Sequence, residues 1–443
     1  MKKLIVISML IFMIISTVSY AADRVSLGFL YGSDDQAELV QRTNGAINQV
    51  SPTWFDISSK GNLVISSAVD EDFIQMMKEM DVKITPFLSN HWSRSKGRAA
   101  LKNSEKLSQQ IVDAIMKYDL EGVNVDIENL TSKDRDDFSD FVNILRDKLP
   151  KDKMLTVSVA ANPYGVDTGW QGSYDYEKLG EYADYLFVMA YDEHSQGGMC
   201  GPVASIDFVE NSIKYALEKV SKDKIVVGIP LYGRFWGGDG ERDGEAVVIG
   251  DVPRLTSRFK GIVEYDEYVK QPCVKFKIAE NAVSARVNGK ELAPGKYTIW
   301  YENKESIVAK LDLVNEYDLL GAGVWALGQE KVEVWDYYYE ELNRIPYKEE
   351  EVVTKEEIYQ SFMVGKEKER LSLARDFTKV NLKRNVDYKE VITNKNVENR
   401  KVTSKHSNIV YMAIMGKVVI KDKKITNSKE VNNKRDYLGL KII

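Results

Sequence analysis

Glu121-Gly-Val-Asn-Val-Asp-Ile-Glu128 alternates apolar and polar side chains at every second position. Successive side chains of a strand point to opposite faces, so Asn124, Asp126 and Glu128 share one face and Val123, Val125 and Ile127 the other. In a closed barrel the apolar set meets the surrounding helices. The polar set then points along the lumen toward the C-terminal mouth, where barrel active sites lie.

Reading outward from this segment, short β-branched runs recur, most of them followed by a stretch of helical period. Val25 to Leu30 precedes Asp35 to Val50, and Trp54 to Ile57 precedes Glu71 to Met80. Val82 to Leu88 precedes Ser104 to Tyr118, and Gly122 to Glu128 precedes Ser132 to Leu149. Leu155 to Ala161, Tyr185 to Tyr191, Ile225 to Leu231 and Leu319 to Leu327 complete eight candidate strands. Such alternation implies an α/β fold with a parallel sheet and crossover helices. Eight units over this span predict a (β/α)8 TIM barrel. A doubly wound open sheet is the rival, but neither G-x-G-x-x-G nor G-x-x-x-x-G-K-[ST] occurs to support its usual nucleotide chemistry.

One interval breaks the rhythm. Tyr232 to Asn303 is far longer than one crossover helix, and it contains Ala285-Arg-Val-Asn-Gly289 and Tyr297-Thr-Ile-Trp-Tyr301. These read as strands flanking turns, so a small α+β insertion at about 232–303 is expected between strands seven and eight, walling one side of a groove.

The chain has 443 residues, 44% hydrophobic and 29% charged, which excludes a disordered chain or a disulfide-stapled mini-domain. A net charge of -6 gives no reason to expect nucleic-acid binding. The ends differ from the middle. Lys2 and Lys3, the apolar run Leu4 to Ile15 and small residues around Ala21 and Ala22 predict an export signal over 1–22, removed from a secreted protein. The barrel would occupy 23–346. Residues 348–443 carry 22 Lys+Arg against 14 Asp+Glu, a net of +8, so 347–443 is read as a basic extension of unknown fold; a solvated appendage with no specific ligand is the plainer reading, and adhesion to an anionic surface such as a cell wall the alternative. Within it, Ile409 to Ile420 is apolar enough for a strand or hairpin. Cys200 and Cys273 permit one intramolecular disulfide; two buried thiols is the plainer reading. His91, His194 and His406 are too scattered for a metal site.

The polar face of the quoted strand carries the chemistry. Same-face neighbours lie about 6.6–7 Å apart along a strand, which allows the carboxyl groups of Asp126 and Glu128 to hydrogen-bond directly. Two confined acids do not both ionise cheaply, so one holds a proton near neutral pH, as a general acid must. An isolated D-x-E would equally suit a strand end whose acids cap a helix or pair with Lys and Arg.

The longer pattern resembles the D-G-x-D-x-D-x-E signature of glycoside hydrolase family 18, the chitinase-like barrels. Glu121 replaces the first Asp and Asn124 the second, whereas Asp126 and Glu128 match the last two positions. With Asn129 following, the wording is similar to the subgroup containing bacterial spore cortex-lytic N-acetylglucosaminidases. The resemblance runs from about Leu27 to Leu342. It implies that Glu128 is the catalytic acid, with Asp126 beside it and Asn124 offering Asp126 a hydrogen bond. Met189-Ala-Tyr-Asp192 matches the family's M-x-Y-D, making Tyr191 the hydroxyl that holds the substrate's acetamido oxygen, Met189 floor packing and Asp192 a contact to the same sugar. Trp325, in Gly323-Val-Trp-Ala-Leu327, matches the Trp beneath the sugar at the cleavage point, and an indole offers a flat apolar surface to a pyranose ring. Tyr31 is a further candidate for this pocket. Arg234 and Trp236 after the seventh strand, with His91, Trp92 and His194, are expected near the groove.

The resemblance implies hydrolysis of a β-1,4 bond next to N-acetylglucosamine in peptidoglycan of spore cortex or cell wall, retaining and assisted by the substrate's own acetamide. No cofactor or metal enters that scheme, and a monomer is expected. Two alternatives stay open: a chitinase or chitooligosaccharide hydrolase, and a non-catalytic carbohydrate-binding or wall-scaffold protein on the same barrel, to which Asn124 gives weight and Glu128 does not.

Overall fold

The computed structural model describes residues 24–32, 35–237, 242–282 and 285–344. The expected export signal, the basic extension, its Ile409–Ile420 run and His406 lie outside these residues.

Eight parallel strands close into a ring. They are Val25–Leu30, then Gln49–Pro52 continued by Phe55–Ile57, then Lys83–Ile84 continued by Phe87–Ser89. Gly122–Asp126, Met154–Ala160, Tyr185–Met189, Ile225–Pro230 and Gly321–Trp325 follow. Each pairs with the next, and the eighth returns to the first with Gly321 opposite Val25. This is the TIM barrel expected from the sequence. The second and third strands are each split near a proline, Pro52 and Pro86, because proline has no N–H to donate to the ladder.

Two apolar layers follow from the alternation. Val123, Val125 and Ile127 join the layer between barrel and helices, while Leu27, Phe29, Phe87, Phe187 and Val226 fill the lumen. The helices Glu71–Glu79, Ser104–Tyr118 and Arg135–Lys148 lie where the periodicity puts them, the last preceded by a short 3-10 turn at Ser132–Asp134. Asp70 caps the first of these by accepting from Asp72 N, and Asp119, in the left-handed region, ends the second.

The helix expected over Asp35–Val50 is much shorter. Only Gln36–Gln41 is helical, capped by Asp35, and Gln49–Val50 belong to the second strand. Asn44 and Gly45 both have positive φ, a turn that a helix cannot continue through. A helix at Arg94–Lys102, not anticipated from the sequence, follows the third strand.

The long interval is an antiparallel domainlet, as expected. Five strands, Tyr232–Gly237, Arg242–Val248, Ile262–Asp266, Gln271–Ile278 and Gly295–Trp300, form one sheet with helix Asp251–Phe259 packed on it. A hairpin pairs Arg286–Val287, inside the segment predicted as a strand beside a turn, with Lys290–Glu291 just beyond it. The sheet begins two residues after the seventh barrel strand ends, so its first strand rises directly from the C-terminal mouth.

Candidate active site

Strand pairing ends at Asp126, and Glu128 sits just beyond it, before Asn129 turns the chain at φ 58°. Asn90, fully buried after the third strand, fixes this turn. Its Oδ1 accepts from Glu128 N at 2.9 Å, and its Nδ2 donates to Glu128 O at 2.8 Å and to Ser93 O at 3.0 Å. The backbone that carries the acid is thereby clamped from the neighbouring strand end.

Asn124 is also fully buried, but it does not hydrogen-bond Asp126 and does not line the cavity, contrary to expectation. Its Nδ2 donates to Thr156 Oγ1 at 2.9 Å, and Ser158 Oγ donates to its Oδ1 at 2.8 Å. Thr156 stands directly opposite it on the fifth strand, nearer than Asp126 one pleat along its own strand. Asn124 therefore packs beneath the site as a support.

The two carboxyl groups open into one cavity, yet no hydrogen bond joins them, and Asp126 Oδ1 is buried without a partner. Their coupling is electrostatic. Burial pushes the Asp126 carboxyl up to about 7. Burial, then the charges of Asp126 and Asp192, hold Glu128 well above the usual carboxylate range. A proton is thus retained on the pair near neutrality, which suits a group that must donate one.

Tyr191, Met189 and Asp192 reach the same cavity from the end of the sixth strand. Burial, with Asp126 and Glu128 nearby, keeps the Tyr191 phenol protonated by raising its pKa. Gly228 on the seventh strand makes room for its ring: a Cβ there would meet Tyr191 Cε1 at 2.8 Å. Asp192, at φ 61°, is held by three bonds from the insertion's first strand. Tyr232 Oη donates at 2.6 Å, and Arg234 donates through Nε at 2.7 Å and Nη2 at 2.6 Å. Arg234 Nη1 also donates to Gly244 O at 2.7 Å. The bidentate guanidinium–carboxylate pair fixes direction as well as charge.

Trp325 forms one side of the cavity, with its ring 5.3 Å from Phe29 and 5.9 Å from Phe87. Tyr31 lies 5.5 Å from the indole but is half exposed and outside the cavity lining. Trp236 is spent elsewhere, its Nε1 donating to Gly198 O at 3.1 Å. His91 Nε2 lies 2.6 Å from Asp56 Oδ1 at the surface.

The cavity over Trp325 has a volume of about 260 Å³. A second chamber of about 460 Å³ adjoins it, lined by Tyr164, Trp170 and His194 among others. Trp92, Glu128, Met189, Tyr191 and Asp192 border both. Glu128 therefore stands at the junction of two spaces, which is where a group protonating the bond between two bound units has to be.

Sequence reasoning missed Asn90, Tyr232, Gln329, Ser158 and Trp170. Tyr232 was within reach, since period two from Arg234 along a strand puts both on one face. Nothing in the spacing connects Asn90 to Glu128.

Residues 27–330 match the sequence model of the family described as Glycosyl hydrolases family 18. The chain is similar to an uncharacterized glycosylase, YvbX, of Bacillus subtilis (strain 168), at 24% identity over 76% of this chain and 98% of that one. It is 27% identical to the cortical fragment-lytic enzyme of the same organism, over 57% of each chain. Among solved structures, a chitinase from Chromobacterium violaceum ATCC 12472 is similar with a TM-score of 0.65 and 27% identity, covering 72% of this chain and 99% of that one.

Proposed function

The chain belongs to glycosyl hydrolase family 18, and from that premise we propose that it hydrolyses β-1,4 bonds next to N-acetylglucosamine in peptidoglycan, of spore cortex or cell wall, with retention of anomeric configuration. The observation that carries this reading is the position of Glu128 at the junction of two chambers, with burial raising its pKa and with Asp126 and the Trp325 indole in the first chamber.

In this reading Glu128 gives its proton to the glycosidic oxygen, and the bond from that oxygen to the anomeric carbon breaks. The acetamido oxygen of the sugar over Trp325 attacks the same carbon, forming an oxazolinium-like intermediate. This is the substrate-assisted variant of the two-carboxylate scheme. Asp126 orients the acetamide N–H and stabilises its developing positive charge, and its partnerless buried oxygen is the acceptor for that contact. Tyr191 donates to the acetamido oxygen, holding it in line and reducing the entropy cost of attack. Glu128, now ionised, takes a proton from the incoming water, which opens the intermediate and restores the acid.

Peptidoglycan is favoured by similarity to the cortical fragment-lytic enzyme of Bacillus subtilis. Chitin is the second reading, favoured by similarity to the Chromobacterium chitinase. The proposal includes export directed by Met1–Ala22, a catalytic unit over 23–346 and a separate basic extension at 347–443. Incubation with muropeptides and with chitin oligomers, followed by mass spectrometry, separates the readings: cleavage of muropeptides alone supports the first, and cleavage of chitin oligomers alone the second. Binding without cleavage of either would indicate a scaffold on the same barrel. Glu128→Gln should lower turnover by about 10²–10⁴-fold with binding kept, and NMR of the first product should show the β anomer. Wild-type turnover in that variant, or an initial α anomer, contradicts the mechanism.

A further inference from the structure

Cys200 and Cys273 are the only cysteines of the chain. Both are free thiols, Cys200 exposed and Cys273 buried. The sequence reading of two buried thiols therefore fails for Cys200, and its position explains why.

Cys200 lies in the loop that leaves the sixth barrel strand. This loop begins at Asp192, gripped by Arg234 and Tyr232, and carries Glu193, His194 and Ser195 into the second chamber. It then returns to the helix Ile206–Leu217, running against the insertion strand Gln271–Ile278. Ile206 N donates to Val269 O at 3.0 Å. Val203 N and Ala204 N donate to the Gln271 side-chain Oε1 at 2.8 and 3.4 Å. The loop and the insertion thus run in opposite directions, and continuing the loop back from Val203 toward Cys200 follows the strand forward from Gln271 toward Cys273.

The side chains point the right way. Gln271 and Cys273 are two residues apart on a strand and so share a face, the one that Gln271 uses to bind the loop. Trp300 stands directly opposite Cys273 on the next strand, and Arg234 directly opposite Trp300 on the strand beyond. Directly opposite side chains share a face with Cβ atoms about 4.5–5.5 Å apart. The Cys200 thiol interacts with the Trp300 side chain, and the Cys273 thiol is influenced by the charge of Cys200. The row Arg234–Trp300–Cys273 thus presents its last member to the loop whose first residue Arg234 already holds.

We propose that Cys200 and Cys273 are a disulfide-forming pair, a covalent modification site that fastens the wall of the second chamber to the insertion sheet. The oxidant is a low-molecular-weight disulfide. The exposed Cys200 thiolate attacks one of its sulfurs, forming a mixed disulfide and expelling one thiolate. The Cys273 thiolate then attacks the Cys200 sulfur, closing the bridge and expelling the second. Two protein thiols lose two electrons and two protons, and the small disulfide is reduced to two thiols. Burial raises the Cys200 thiol and pushes the Cys273 thiol up to about 11, so both attacks accelerate as pH rises.

The test uses the full chain and oxidised glutathione at about pH 8.5, near the pKa of a free thiol. The expected product is a monomer lighter by two hydrogens, with no retained glutathione and a Cys200–Cys273 cross-link in a non-reducing digest. Dithiothreitol should reverse it. Cys273→Ser should stop at a glutathione adduct on Cys200, and Cys200→Ser should not react while folded. Proteolysis at the exposed Met199 loop should slow severalfold in the bridged protein. A wild-type chain that halts at the glutathione adduct, that cross-links between molecules instead, or that bridges only in denaturant overturns the proposal. None of these readouts depends on hydrolytic activity, so the pair stands or falls apart from the proposed reaction.

Discussion

Asp126→Asn should give a protein that is catalytically crippled and, at alkaline pH, more stable than the parent. The Asp126 carboxyl has an ordinary pKa of 3.8 in the unfolded chain and about 7 in the fold, because burial penalises its charge. At about 1.36 kcal/mol per pKa unit, carrying the ionised group into the fold costs roughly 4 kcal/mol above pH 7. The sign follows from proton uptake. Between these two values the native state binds more protons than the unfolded state, so stability is full below about pH 4 and declines as pH rises through about 7. The amide introduced by Asp126→Asn does not titrate and so removes that decline, and it also lifts the repulsion that Asp126 exerts on Glu128. Since the two acids titrate together, a gain of about 2–4 kcal/mol at pH 8, vanishing near pH 4, is the expected size. Urea unfolding of both proteins at the two pH values measures it; carboxyls that do not interact with Asp126 cancel in the difference, and the relief of Glu128 is part of the measured gain. A difference that does not change with pH, or a variant weaker than wild type at pH 8, would falsify the claim that this carboxylate is held against its solvation preference. Sites that store such a penalty commonly trade stability for activity.

Three further outcomes can be checked. Tyr191→Phe removes one donor from the cavity and should lower kcat/KM by about 10–100-fold, less than Asp126→Asn, with little change in thermal midpoint. Asn90→Ala deletes both bonds to the Glu128 backbone; kcat should fall by about tenfold or more with KM nearly unchanged, and stability by ~1–3 kcal/mol, whereas an equal rise in KM would show that Asn90 acts on binding instead. Gly228→Ala would bring a Cβ within 2.8 Å of Tyr191 Cε1 and of Val188 O; overpacking of this kind costs about 1–3 kcal/mol, so both the midpoint and kcat should drop, and an unchanged Tyr191-dependent activity would count against its packing role.

The barrel and the acid pair are legible because both rest on period two. A strand with valines on one face and acids on the other fixes which residues meet helices and which meet the lumen, and Asp126 and Glu128 follow from that alternation. Tyr191 and Trp325 are legible as aromatics at strand ends within recognisable motifs. What escapes is set by contacts between strands. Alternation assigns Asn124 to Asp126 along its own strand, but Thr156 across the ladder is closer. The helix after the first strand reads too long because its apolar period continues past Asn44 and Gly45, whose turn is a backbone event. Asn90 is invisible because its partner is the main chain of Glu128, and a backbone group leaves no mark on residue type.

The grip of Arg234 and Tyr232 on Asp192 bears on how such an enzyme is remodelled. Asp192 belongs to the barrel and its three donors to the domainlet, so neither part contains a finished active site. Excising or exchanging the domainlet would strip the Asp192 carboxyl, held in a left-handed bend, of its three donors beside Glu128. A chimera that transplants this module onto another barrel must bring its first strand along, in register, or it inherits an electrostatic fault in the cavity that holds Glu128.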